Sequence, residues 1–325
     1  MPGRLGRDGR DQRWIARGER RRQECAPTLL LAEHRHFGRA ATACAVTQST
    51  LSAGIQELEQ RLGANLVERN RKQVMLTSLG EEVVTRGRRL LSEAEDIVDV
   101  ARGAAEPLSG PLRLGVIPTI SPYLVPAIMR GLPQAFPKLK LFLREEQTAP
   151  LLEKLAAGEL DLVLLALPYD VGDADTLELG ADPLFVALPP GHRLARGKRV
   201  PGEALGGENL LLMEDGHCLR SHSLEACRLA GPGQNEVFQG TSLRTVVQMA
   251  AGGLGLTLVP QMALATELPP DGSLIAKPLA ADAPARRIAL AWRRSSARKP
   301  EFRRFGAYAK SLLAECESAN APHGP

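Results

Sequence analysis

Residues 37–62 read FGRAATACAVTQSTLSAGIQELEQRL. Ala40, Ala41, Ala43 and Ala45 are small enough for two helices to cross closely. Thr47 is a helix-capping residue. Behind it Leu51, Ile55, Leu58 and Leu62 recur at spacings of four, three and four, which predicts a helix over Gln48–Leu62 with Gly63 just past its end. An alanine-rich helix, a tight turn and a second helix opening on small polar residues is helix-turn-helix logic. In such a unit Gln48, Ser49, Thr50 and Ser52 would meet base edges and phosphates in the major groove. A glutamine can bond adenine with both ends of its amide, and the free N–H groups of the first turn favour phosphate. The alternative is a helical hairpin whose polar residues meet only solvent.

Outward from this stretch, the text from Thr28 to Leu62 is helical throughout, with a short apolar-periodic piece at Leu29–Phe37. Leu66–Thr77 alternates loosely and predicts a short hairpin carrying Arg69, Asn70, Arg71 and Lys72, whose cations would hold the DNA backbone. Ser78 is placed to cap a long helix, roughly Leu79–Gly103, with an apolar stripe that includes Val83, Val84, Leu91 and Val98. The Pro, Ser and Gly of Glu106–Pro111 then mark a hinge.

After the hinge the period changes. Short apolar runs alternate with helical segments, the pattern of an α/β domain with a largely parallel sheet. Candidate strands are Leu112–Ile117, Leu139–Glu145, Leu160–Leu167, Leu184–Leu188, Leu210–Met213, Glu236–Gln239, Gly255–Val259, Ser273–Pro278 and Arg287–Trp292, followed by a helix from Glu301 to about Cys316. Nine strands are many for one small sheet, so two sheets with the chain crossing between them are expected. No internal repeat of fixed period is present.

The chain has 325 residues, about two domains' worth. Aromatic residues are only 4%, which argues against extended base stacking. No apolar run is long enough to span a membrane. The net charge of +4 is too mild to imply nucleic acid by itself. It is also unevenly placed: residues 1–22 hold eight arginines against Asp8, Asp11 and Glu19, a surplus of five. That segment is too poor in apolar residues to order itself. It reads as a disordered basic tail or a mis-assigned start, with a phosphate-touching arm as the functional alternative.

Five cysteines, at 25, 44, 218, 227 and 316, are an odd and scattered set, fitting reduced thiols in a cytosolic protein rather than a secreted framework. The informative stretch is Glu214–Cys227. Asp215 or Gly216 can cap a helix and place Cys218 in its first turn, where helix polarity lowers a thiol's pKa, with His217 and Arg220 adding donors or charge. Cys227 lies nine residues on, which in one helix is about 13.5 Å of rise and half a turn of rotation. A disulfide needs Cα atoms within roughly 7 Å, so bonding requires the helix to unfold. The alternative is two buried small hydrophobes. Cys25, Cys44 and Cys316 show no partner.

Ala32–Ala41, Thr47–Ser52, Ile55, Leu58-Glu59, Leu62-Gly63, Leu66–Arg69, Val74–Thr77 and Gly80 resemble the winged helix-turn-helix of LysR-type transcriptional regulators. The resemblance covers about 28–316. It implies a long dimerising linker helix, a two-subdomain effector domain similar to periplasmic binding proteins, and a homotetramer on promoter DNA that addresses RNA polymerase. It divides the chain into a basic tail (1–27), a DNA-binding domain (28–80), linker and hinge (81–110), an effector domain (111–316; subdomains about 111–180 plus 285–316, and 181–284) and a short tail (317–325). The first helix of the family is matched only over Thr28–Phe37, after Pro27, so it is expected to be short.

The run Gly216-His217-Cys218-Leu219-Arg220, with Cys227 nine positions later, resembles the peroxide-sensing OxyR subgroup of that family, as do Gln239–Ser242 and Ala250–Gly255. The resemblance implies that Cys218 is the peroxidatic cysteine and Cys227 the resolving one. It also implies that Thr119, Thr148, His217 and Arg293 line the peroxide pocket. Ser221 stands where such proteins often carry Asp. Hydrogen peroxide and double-stranded DNA are the implied ligands, with no metal or other cofactor. A LysR-type regulator answering to a small-molecule inducer, and a thiol peroxidase, are the competing possibilities.

Overall fold

The computed structural model describes residues 28–69, 74–103, 108–227, 239–280 and 283–319. The chain divides into two units, Met1–Glu95 and Asp96–Pro325.

In the first unit a short helix α1 spans residues 28–34. It stops at Arg35, which adopts a left-handed φ of 47°. His36 then caps α2 (Phe37–Ala43), its Nδ1 accepting from the Gly38 and Arg39 amides. Phe37, expected at the end of the first helix, therefore opens the second. Thr47 caps α3 (Gln48–Leu62) by accepting from the Thr50 amide, and Gly63 closes it at φ 65°. The wing is β1 (Val67–Arg69) paired antiparallel with β2 (Val74–Leu76). Glu59 reaches from α3 to accept from the Leu66 and Val67 amides, which fixes the wing to the helix. Leu31, Ala40, Ala41, Leu51, Ile55 and Leu66 form the core. α4 (Ser78–Gly103) follows. Its cap is Thr77 rather than Ser78: the Thr77 hydroxyl accepts from the Gly80 amide. A Cβ at Gly80 would run into the Leu66 carbonyl, so this close approach requires glycine.

The second unit holds two five-stranded sheets. The first has the order β4-β3-β5-β12-β6, with β3 (Gly110–Val116), β4 (Leu139–Glu145), β5 (Leu162–Leu167), β6 (Ala174–Asp182) and β12 (Arg286–Arg293). The second has the order β11-β7-β10-β8-β9, with β7 (Leu184–Leu188), β8 (Leu210–Met213), β9 (Gln239–Gly240), β10 (Leu256–Pro260) and β11 (Ile275–Pro278). The helices used below are α5 (Ser121–Ala135), α6 (Thr148–Ala156), α7 (Cys218–Ala226), α8 (Leu243–Ala251), the one-turn α9 (Leu264–Glu267) and α10 (Lys299–Ala319).

Two expectations are corrected. The sheets are mixed rather than largely parallel, because β12 runs antiparallel to β5 and β6, and β7 antiparallel to β10 and β11. The strand β6 was not expected at all. It is an edge strand only partly buried, and its Asp175, Gly180 and Asp182 break the apolar run by which a strand is recognised. Each sheet has its own core: Leu112, Leu164, Leu290, Trp292 and Phe305 belong to one, Val186, Leu211, Val246 and Val259 to the other. Burying one such aliphatic side chain contributes about 1.5–3 kcal/mol. The chain crosses from first sheet to second between Asp182 and Leu184, and back between Pro278 and Arg286.

Candidate functional site

On the DNA-reading unit, Gln48, Ser49 and Thr50 are exposed and Ser52 is half-buried. The Thr47 hydroxyl contacts the Ser49 and Thr50 hydroxyls at 2.9 and 2.8 Å. The first turn of α3 thus presents an ordered row of hydroxyls beside one unencumbered amide side chain. Arg69 lies on β1, while Arg71 and Lys72 fall outside the described residues.

In the second unit Cys218 and Cys227 are free thiols. Cys218 is the first residue of α7 and Cys227 its C-cap. His217, not Asp215 or Gly216, is the N-cap, because Gly216 takes a left-handed φ of 93° to turn the chain in front of the helix. A Cβ on Gly216 would strike the Gln147 side chain, whose amide lies 3.5 Å from Glu214 Oε1 and from the Asp215 carbonyl. Gln147 caps α6. So the N-terminus of α6 is docked on the loop that leads into the N-terminus of α7, and Thr148, first residue of α6, lies against the Cys218 thiol. Thr148 is 1% exposed, and its hydroxyl is turned to the Cys218 sulfur.

Burial pushes the Cys218 thiol up from its ordinary pKa. Against that work the Arg286 guanidinium, the Thr148 hydroxyl and the Cys218 and Leu219 amides of the first turn, each favouring the thiolate. The expectation of a lowered pKa therefore meets a stronger desolvation: the thiol rests protonated. The cation acting on it is neither His217 nor Arg220. His217 is buried, and its pKa is lowered by desolvation despite Glu214 at 3.7 Å. Arg220 pairs with Asp215 at 2.9 Å. Burial pushes the Cys227 thiol up to about 12.

Arg286 opens β12 fully buried. Its Nε and one terminal nitrogen donate to Asp182 Oδ2 at 2.9 and 2.7 Å. The guanidinium also donates to the Thr119 hydroxyl and carbonyl, both at 3.0 Å. Thr119 follows β3 and is buried, as is Thr148 after β4. The structure thus binds Thr119 to Arg286, whose charge acts on Cys218, and sets Thr148 and His217 beside that cysteine.

It does not bring Arg293 or Ser221 there. Arg293 donates to the Leu155 and Leu160 carbonyls at 3.1 and 2.7 Å. It closes the C-terminal end of α6, about 10 Å of helix rise from Thr148. Ser221 is exposed: the buried face of α7 is Cys218, Leu219, Arg220, His222, Ser223 and Ala226, which turns Ser221 and Glu225 outward. Arg286, Gln147 and Asp182 were missed in the sequence. Arg286 opens a strand that is buried on both faces from Ile288 to Arg293, so no alternation in the sequence marked it out.

Among the described residues no cluster suits a metal ion and no helix is long and apolar enough to cross a membrane.

A helix-turn-helix reader followed by a two-sheet α/β unit with a buried thiol pair defines a DNA-binding transcriptional regulator with a sensing domain. Residues 29–81 match the bacterial regulatory helix-turn-helix proteins of the lysR family, and residues 105–314 the LysR substrate binding domain. The chain belongs to the LysR family, and within it to the OxyR group. It is 40% identical over 300 residues to a probable hydrogen peroxide-inducible genes activator of Streptomyces viridosporus, covering 91% of this chain and 96% of that protein. It superposes on a full-length cysteine variant of Pseudomonas aeruginosa OxyR with a TM-score of 0.73 at 33% identity, covering 88% of this chain and 96% of the other. It also superposes on a peroxide-bound Corynebacterium glutamicum OxyR variant with a TM-score of 0.64 at 31% identity, covering 92% and 94%.

Proposed function

We propose that this regulator senses hydrogen peroxide through Cys218 and Cys227 and reports it by a change in DNA binding that activates oxidative-stress genes. The observation that carries this reading is the place of Cys218. It lies at the N-terminus of one helix, against the N-terminus of a second, with the Thr148 hydroxyl turned to its sulfur and the charge of the buried Arg286 acting on it. Arg286 takes the role expected of Arg293, and Thr119, Thr148 and His217 orient the peroxide.

The thiolate of Cys218 attacks one peroxide oxygen. The O–O bond breaks, sulfur is oxidised to the sulfenic acid, and the departing hydroxide takes a proton to become water. The Cys227 thiol then attacks the Cys218 sulfur and releases a second water, leaving a disulfide. The protein passes on one oxidation per signal and is no turnover enzyme. Gln48, Ser49, Thr50 and Ser52 read bases while Arg69, Arg71 and Lys72 hold phosphates. RNA polymerase is the downstream partner, a homotetramer the working assembly and the cytoplasm the compartment.

Mild peroxide treatment followed by peptide mass analysis tests this. The expected product is a Cys218–Cys227 disulfide, lost in Cys218→Ser, with an altered DNA footprint. An unmodified pair with unchanged DNA binding overturns it.

A further inference from the structure

A histidine stands between the two cysteines of α7. His222 lies four residues after Cys218 and five before Cys227, on the buried face of the helix, and is 4% exposed. Its Nε2–H donates to the Pro168 carbonyl at 2.9 Å. Pro168 follows β5 of the first sheet, whereas the C-terminal end of α7, with Ala226 and Cys227, packs in the core of the second. The bond therefore ties the middle of α7 across to the other subdomain. The second ring nitrogen, Nδ1, is buried and has no hydrogen-bond partner among the described residues. The imidazole is thus held by one bond, as a neutral ring, in a seat that gives its second nitrogen nothing to donate to.

The peroxide step makes no use of this ring, but the step after it does. There the Cys227 sulfur attacks the sulfur of the Cys218 sulfenic acid. An S–S bond forms, the S–O bond breaks, and the hydroxyl leaves as water with the Cys227 proton. Two Cα atoms at opposite ends of the helix must first come within roughly 7 Å, so α7 unwinds. Unwinding about its middle turn carries His222 off the Pro168 carbonyl.

We propose that His222 is a positioning residue that latches α7 onto the first subdomain and so sets the rate of disulfide formation, leaving the peroxide attack untouched. A sensor latched in this way dwells at the sulfenic acid. The inference rests on Cys218 and Cys227 being the reactive pair.

The latch has a sign with pH. Protonation puts a hydrogen on Nδ1, which the folded site leaves without an acceptor and which water accepts once the segment unwinds. Acid therefore favours release. The charged and titratable groups about the ring are Glu225 and Cys218 on α7, Arg286 on β12, and Tyr169, next to Pro168. Glu225 favours the charged ring; burial and Arg286 oppose it.

The test measures two rates on the reduced full-length chain after a pulse of hydrogen peroxide. Sulfenic acid at Cys218 is trapped with dimedone, and the Cys218–Cys227 disulfide is read by peptide mass. His222→Leu keeps the bulk and loses the donor. Its disulfide forms about two- to tenfold faster, the range one neutral hydrogen bond supplies, while sulfenic acid forms at the parent rate. His222→Gln supplies an amide N–H to Pro168 but does not titrate, and near pH 7.5 it follows the parent. Toward acid the parent gains on His222→Gln, by about tenfold at pH 5.5, one unit below the ordinary histidine pKa of about 6.5. His217, Glu225 and both thiols are common to the two chains and drop out of that ratio. The glutamine comparison stands even if His222→Leu does not fold. An unchanged disulfide rate in His222→Leu, a sulfenic-acid rate raised by the same factor, or a parent-to-glutamine ratio flat in pH overturns the proposal. A parent chain that forms no sulfenic acid at Cys218 overturns the sensing function itself and the latch with it, and is read from the parent alone.

Discussion

Cys218 and Cys227 stand at the two ends of one nine-residue helix, and each is packed into a different hydrophobic core. Nine residues of helix separate their Cα atoms by about 13 Å, against the roughly 7 Å a disulfide tolerates. Oxidation therefore has to unwind α7 and empty a seat in at least one core. We expect amide hydrogen exchange across 218–227 to accelerate at least tenfold on peroxide treatment of the parent chain. In Cys227→Ser the reaction stops at the Cys218 sulfenic acid and α7 stays protected.

Arg286 and Arg293 lie on one strand and are predicted to behave oppositely. Arg286→Gln removes the cation beside the thiol and slows Cys218 oxidation at pH 7 by about tenfold or more. Arg293→Gln removes two bonds at the far end of α6 and costs about 1.5–3 kcal/mol of stability, with oxidation within about twofold of parent. Stopped peroxide reactions and thermal melts of the two variants check this.

Gly202 is the contact on which the Cys227 end of α7 sits. A Cβ there would collide with the Ala226 carbonyl and approach the Cys227 Cα to 3.0 Å. Gly202→Ala should destabilise the dithiol form by about 1–3 kcal/mol and shift the disulfide equilibrium toward oxidation in a glutathione redox series. An unchanged midpoint refutes this.

The histidines give a pH dependence whose sign is fixed. His222 Nε2–H donates to the Pro168 carbonyl, 2.9 Å away, and its pKa, like that of His217, is lowered chiefly by burial. The unfolded chain then binds protons that the folded one refuses. Their neutral forms cost nothing above the ordinary histidine pKa of about 6.5, and stability is lost as pH falls below it. The melting temperature of the reduced chain should drop between pH 7 and 5.5, and His222→Gln should flatten that slope.

On the reading unit, Gln48→Ala is expected to weaken operator binding by about 1–3 kcal/mol and relax base preference at one position, while Cys218 oxidation is unchanged. Footprinting and trapped-sulfenate assays on the same preparation separate the two functions.

Much of this architecture is written in local pattern. The spacing of Leu51, Ile55, Leu58 and Leu62, and the Gly-His-Cys run, act within a few residues and were legible. Arg286 was not, because its partner Asp182 is 104 positions away in sequence and its proximity to Cys218 exists only after two sheets assemble. The same holds for β6, whose polar residues are explained by Arg287–Glu178 and Arg286–Asp182 pairs across the strand. Ser221 was misplaced for a subtler reason. Three residues from Cys218 on a helix lie near its face, and only the burial of His222 on the other side shows that the helix is rolled away from it.

The two places where the chain passes between the sheets carry Asp182 on one and Arg286 on the other, joined at 2.7 Å, with the Gln261 amide bonded to the Pro183 carbonyl beside them. A domain pair that reads a ligand by closing around it needs those crossings to flex as a hinge. Here they are riveted. With the crossings tied in this way, the melting of a single short helix is a route for a message that needs no opening and shutting of a cleft.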